Sequence, residues 1–204
     1  STIIGFFTDE PDILGRNAPK KMLAFNESLF ELLKEGGFSL EEIALTTLES
    51  HTSLRRQKYR KIAKNLLSEH YYKPISSWCD RHGIFLTGHP ENSDDIGLQE
   101  HFHIPGQDTV WRWVAPENDL NINGPHSTLA KCSSDAARHM GIGRNANEVF
   151  GCCGKAGIQW SFSPKDMKWY LNWLFIRGVN LIIPHAFFYS IKGKRRDERA
   201  PDVG

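Results

Sequence analysis

The apolar positions along the chain fall into two kinds of run. Residues 3–8, IIGFFT, form a continuous β-prone stretch that breaks off in Asp9, Glu10 and Pro11. Between about Lys20 and Lys34 the apolar residues Met22, Phe25, Leu29, Leu32 and Leu33 recur at helical spacing, and Gly36-Gly37 ends the pattern. Ser39-Leu40-Glu41-Glu42 has the order of a capping box and predicts a short helix. From Arg55 to about Arg81 a long helical pattern carries Tyr59, Ile62, Leu66, Leu67, Ile75 and Trp78, with a bend or division predicted at Pro74.

The alternation continues. GIFLTGHPEN (83–92) predicts a second strand followed by polar residues, and a short helix is predicted over Ile96–His103. TVWRWVAPEND (109–119) predicts a third strand, and Ser127 a helix cap for a segment running to about Met140. RNANEVFG (144–151) is the fourth candidate strand. Ser163-Pro164-Lys165-Asp166 is a strong helix start: a cap, Pro at the first position and an acid in the first turn. Met167, Tyr170, Leu171, Leu174 and Phe175 form the stripe of that helix, and Gly178 ends it. NLIIPHAFFYS (180–190) is the last strand, and a polar loop follows from Lys192.

Strand and helix in alternation predict an α/β fold with a parallel sheet. A doubly wound sheet carries a Gly-rich phosphate turn after its first strand. Here that turn is the acidic TDEPD, and neither GxGxxG nor a P-loop pattern occurs. A (β/α)8 TIM barrel instead places its site at the C-terminal ends of its strands. The polar clusters fall there: Asp9 and Glu10, then His89 and Glu91, then Glu117 and Asp119, then Glu148, then His185. About five of eight units are visible. The expectation is a partial barrel, about strands 4 to 8, with residues 1–204 as the C-terminal portion of a catalytic barrel in a longer chain. The open sheet edges of such a section would recruit other strands, so self-association is expected.

Composition narrows the partners. Twenty-five Lys and Arg stand against 24 Asp and Glu, a net charge of +1, so the basic surplus of a nucleic-acid binder is missing. The run Lys192, Lys194, Arg195, Arg196 reads as a solvated loop. No apolar run approaches the roughly 20 residues that span a bilayer. None of the four cysteines has C-x-x-C spacing, and adjacent Cys152 and Cys153 read as reduced thiols, which favours a reducing compartment such as the cytoplasm. His101-x-His103 lacks a third ligand, so no metal is expected.

Carboxylates at a barrel mouth are partly desolvated, and their pKa values can be pulled apart. Two such groups flanking a bond are what glycoside hydrolysis requires: one protonates the leaving oxygen, the other attacks the anomeric carbon or activates a water. No cofactor is expected, since hydrolysis by a pair of carboxylates needs none. Trp111, Trp113 and Trp160 read either as a stacking platform for a sugar ring or as packing.

The segments FFTDEP, GIFLTGHPEN, KCSSDAARHMGIGRNANEVFG and GVNLIIPHAFFYS, in this order over about residues 3–200, resemble the catalytic barrel of bacterial glycoside hydrolases, α-L-rhamnosidase-like or β-galactosidase-like. The resemblance implies hydrolysis of an O-glycosidic bond in a carbohydrate substrate. It implies Glu10, after strand 4, as acid or acid/base and Glu148, after strand 7, as nucleophile, base or substrate-binding carboxylate. Asp9 stands where the common pattern has Asn. Asp9, His89, Glu91, Trp111, His185 and Tyr189 are the candidate substrate-binding residues. The rival reading is a noncatalytic carbohydrate-binding or scaffold barrel.

Overall fold

The computed structural model describes residues 2–15, 18–19, 22–50, 52–92, 94–151, 161–185 and 192–193. In chain order its elements are β1 (Gly5–Asp9), α1 (Glu27–Glu35), α2 (Leu40–Thr46), α3 (Leu54–Leu67), a π-helical turn (Ser68–Tyr72), α4 (Lys73–His82), β2 (Phe85–His89) and a 3₁₀ turn (Ile96–His101). There follow β3 (Gly106–Asp108), α5 (Trp111–Val114), α6 (Leu120–Asn123), α7 (Lys131–His139), β4 (Ala146–Val149), α8 (Pro164–Ile176) and β5 (Leu181–Pro184). They divide into two compact units, residues 11–83 and residues 1–10 with 84–204.

Residues 11–83 are helical. The Asn26 side chain accepts the Leu29 N–H and opens α1 at Glu27, later than the apolar spacing predicts, because the cap rather than the periodicity fixes the start. The capping box of α2 is present in both directions between Ser39 and Glu42. Leu29, Leu33, Phe38, Ile43, Tyr59 and Ala63 form the core of this unit. The long helical pattern is divided as predicted, but the break precedes Pro74. A proline ring at position 74 crowds the carbonyl four residues back, and the chain widens into the π-helical turn across that position.

The second unit carries the strands. β1 pairs with β2, and β3-β4-β5 form a second sheet; among the described residues these three ladders are all parallel. β2 and β3 lie side by side without a ladder. The Ile104 N–H donates to Leu86 O at 3.2 Å, and Thr87 Oγ1 donates to Ile104 O at 2.9 Å. Two glycines allow this approach. A methyl group on Gly88, whose φ of 122° suits glycine, would collide with the Thr8 backbone, and one on Gly106 would collide with the Gly88 carbonyl. Neighbouring strands therefore run in sequence order. Among the described residues neither sheet closes, so the partial-barrel expectation reduces to a mixed α/β fold with parallel strands.

One strand lies elsewhere than predicted. The run 109–119 is not extended: the strand is Gly106–Asp108, and Trp111–Val114 is helical. Val110, Trp111, Val114 and Ala115 are all buried, the spacing of one helical face, and the shared core selects helix over the β preference of Trp and Val. Ser127 does not cap α7, which begins at Lys131 with Ala130 in the cap position.

The core of this unit gathers Trp111, Val149, Phe162, Tyr170, Leu174 and Val179. The predicted capping box at Ser163 is formed with Asp166, and α8 lays Tyr170, Trp173 and Leu174 against the sheet. Polar bonds lock the rest: Ser133 N–H donates to Gln107 Oε1 at 2.8 Å, tying α7 to β3. Asn145 Nδ2 donates to Gly178 O at 2.8 Å, tying the start of β4 to the end of α8.

Candidate functional site

Parallel strands in register put matched residues on one face. The β1–β2 register sets Asp9 beside His89, and the β3–β4 register sets Asp108 beside Glu148. All four stand at or one residue from the C-terminal ends of their strands. β1 and β4 then stop abruptly. Glu10 and Phe150, the residues following them, have φ of 44° and 73°, a left-handed turn that costs a non-glycine residue about 1–2 kcal/mol. The Glu10 N–H donates to His89 O at 3.2 Å, and the His185 N–H to Val149 O at 2.8 Å, so the hydrogen bonding carries one residue past each strand end.

His89 is at the centre. It is 1% exposed, it donates from Nε2 to Glu148 Oε2 at 3.0 Å, and the same nitrogen is 3.6 Å from Asp9 Oδ1. Its Nδ1 faces the Pro90 carbonyl at 3.4 Å, and the Phe7 ring meets it edge-on at 5.6 Å. Burial opposes a charge on this imidazole, but the hydrogen bond to Glu148, the charges of Asp108 and Glu148 and the Pro90 carbonyl outweigh it. The net result is a pKa above the ordinary histidine value. Asp108 is shifted upward as well. Burial pushes its carboxyl up to about 6, against the attraction of His89, and Glu148 and Asp9 add to the rise while His185 opposes it. The arrangement is a proton-holding cluster: a carboxyl that stays neutral in mild acid beside a histidine that stays cationic.

Asp9, His89 and Glu148 each offer one donor atom within 4.8 Å of the others, close enough to share a divalent cation. The His89–Glu148 contact is that of a hydrogen bond, and it is as an ion pair that it enters the chemistry below.

Of the sequence candidates, the structure brings together Asp9, His89 and Glu148, with Glu10 adjoining Asp9 and His185 adjoining the end of β5. Glu91 lies exposed in the bend after β2. Trp111 is 1% exposed and packs edge-on against Phe162, Trp169 and Tyr170, so it is a core residue and presents no ring face for a sugar. Tyr189, Trp160, Cys152 and Cys153 lie outside the described residues. His103 accepts the Leu86 N–H at 2.9 Å, a structural bond. Asp108 was missed because the third strand was expected three residues too late. The signal was present: Gly106-Gln107-Asp108 ends in a carboxylate as Phe7-Thr8-Asp9 does.

Fold and site together define a parallel α/β unit with acids and a histidine gathered at its strand ends. The solved structure of a rhamnosidase from Novosphingobium sp. PP1Y is similar to it, with a TM-score of 0.57 at 18% sequence identity, over 83% of this chain and 17% of that one. The likeness is one of fold, and this chain spans under a fifth of the rhamnosidase's length. No known protein family and no curated protein matches the sequence.

Proposed function

We propose that this chain is the site-bearing part of a glycoside hydrolase, cleaving O-glycosidic bonds with a pair of carboxylates. Glu148 is the opposing carboxylate and Glu10 the acid or acid/base. The observation that carries the reading is the convergence of Asp9, His89, Asp108 and Glu148 on adjacent parallel strand ends, where barrel hydrolases keep their chemistry. The rhamnosidase fold likeness supports it.

The roles follow from the residues. Glu10 gives a proton to the glycosidic oxygen as the C–O bond breaks. Glu148, oriented by the His89 N–H, faces the anomeric carbon and either bonds to it or takes a proton from an attacking water. His89 touches Glu148 rather than the sugar and is a positioning residue. Asp9 lies with its side chain 69% exposed beside His89, open to a substrate hydroxyl.

The test uses the full-length protein and a panel of aryl glycosides. Glu148→Gln and Glu10→Gln are each expected to lower kcat by about 10²–10⁴-fold while sugar binding survives. Unchanged turnover in both variants rejects the reading. A wild type that binds sugars and hydrolyses none identifies the noncatalytic carbohydrate-binding rival.

A further inference from the structure

We propose that the outer face of α3 is a docking surface for an acidic polypeptide segment with an apolar side chain among its carboxylates. The inference concerns the helical unit of residues 11–83 and is independent of the glycosidase reading.

Cations are concentrated on this one helix. α3 reads LRRQKYRKIAKNLL, with Arg55, Arg56, Lys58, Arg60, Lys61 and Lys64 and no acid, in a chain whose net charge is +1. Two of these are used internally. Arg56 is buried and donates to Glu49 O at 2.9 Å, while Arg55 bonds the Glu49 carboxylate and lies 3.9 Å from that of Glu42. The rest are placed by the helical period. Arg56, Tyr59 and Ala63 are the buried residues of α3, so Lys58 and Lys61, three apart, and Arg60 and Lys64, four apart, lie on the opposite side. Lys58, Arg60 and Lys61 are exposed. Like charges at this spacing weaken a helix, so helix stability does not account for the stripe.

Lys58 joins the stripe to a second feature, a cleft lined by Gly37, Phe38, Glu42, Leu54, Arg55 and Lys58. Phe38 is buried at its base, and the Lys58 ammonium stands 5.3 Å from the centre of that ring. Leu54 is 84% exposed, and Leu48, in the connection from α2, is equally bare. Glu42 does not cancel the cations: Arg55 stands beside it, and its carboxylate accepts the Ser39 N–H. An apolar base with a leucine edge and a cationic side suits an apolar side chain flanked by carboxylates.

The shape discriminates among polyanions. A nucleic acid would use the cations but brings nothing for the cleft or the bare leucines. An anionic bilayer is flat, and helices that lie in its surface present Trp, Phe or Leu along the length of the face beside their lysines. Here the leucines stand at one end of the stripe, and the aromatic ring of the cleft is buried. A polypeptide fills the cleft with one side chain and reaches the stripe with its neighbours.

The probe is a short fluorescein-labelled peptide of glutamates around a central leucine, titrated with the full-length protein and read by fluorescence anisotropy. A second peptide carries serine in place of the leucine. The ionic strength is physiological, which screens diffuse attraction. The leucine peptide is expected to bind about three- to tenfold more tightly than the serine peptide, the worth of a partly buried leucine. Lys58→Glu combined with Lys61→Glu is expected to weaken both peptides about tenfold. Leu54→Ser is expected to weaken the leucine peptide alone, about two- to fivefold, a coupling that unspecific attraction to a basic surface does not produce. All three positions are exposed, so the changes leave the fold intact. Absence of binding by either peptide overturns the inference. Equal affinity for the two peptides overturns it as well, because the cleft then plays no part. Tighter binding of a uridine oligonucleotide or of phosphatidylserine vesicles than of the leucine peptide assigns the surface to another class of polyanion and also overturns it.

Discussion

Replacing Asp108 by Asn tests the electrostatics of the site without any substrate. The folded protein holds the Asp108 proton up to about pH 6, whereas an unperturbed Asp releases it near 3.8. Two pH units at about 1.4 kcal/mol each make about 3 kcal/mol. The sign follows from proton counts. Between pH 3.8 and 6 the folded state binds the extra proton, so stability falls as pH rises through that window. Below it the carboxyl is neutral in both states and nothing is lost. Above it the full penalty applies. Asn is neutral throughout. The advantage of Asp108→Asn over wild type in urea unfolding should therefore grow by about 2–3 kcal/mol between pH 4 and pH 7.5. Groups that titrate alike in both proteins cancel in this difference. A stability difference that stays flat between the two pH values would show that Asp108 ionises as an ordinary surface carboxylate, and the cluster would lose its electrostatic basis.

Gly88→Ala should cost more than about 3 kcal/mol or prevent folding, because the added methyl meets the Thr8 backbone at a positive φ; a urea midpoint near wild type would refute the packing described for β1, β2 and β3. β1 has one laddered neighbour among the described residues, and Ile3, Ile4, Phe6 and Phe7 on and beside it are each more than 40% exposed. We expect the 204-residue chain alone to form dimers or larger species in light scattering, reduced by Phe6→Lys; a monomer at every concentration would count against an adhesive edge.

Local rules carried the fold a long way. The capping boxes at Ser39 and Ser163 were visible because each needs only residues three apart. The strands at 5–9, 85–89 and 181–184 stand out as apolar runs followed by polar residues, and the one at 146–149 is the least regular of the candidates. Rules that depend on distant partners were hidden. Whether TVWRWV is strand or helix is decided by the core that Trp111 and Val114 enter, built from α8 and β4 far along the chain. Closure of a barrel is equally non-local, and the alternation of elements specifies parallel neighbours without specifying a ring.

The site shows the same division more sharply. That Asp9, His89 and Glu148 would sit at strand ends followed from counting along each strand. That His89 would be buried and bonded to Glu148 did not, since the two are 59 residues apart and only the approach of β2 to β3 and the β3–β4 pairing bring them to 3.0 Å. Once that pairing is known, it adds to the sequence reading in a consistent direction. His89 holds the Glu148 carboxylate, and the ladder puts a further acid, Asp108, next to that carboxylate. An acid at a strand end becomes a site residue through its neighbour in the next strand, and register is the quantity a single strand's sequence does not contain.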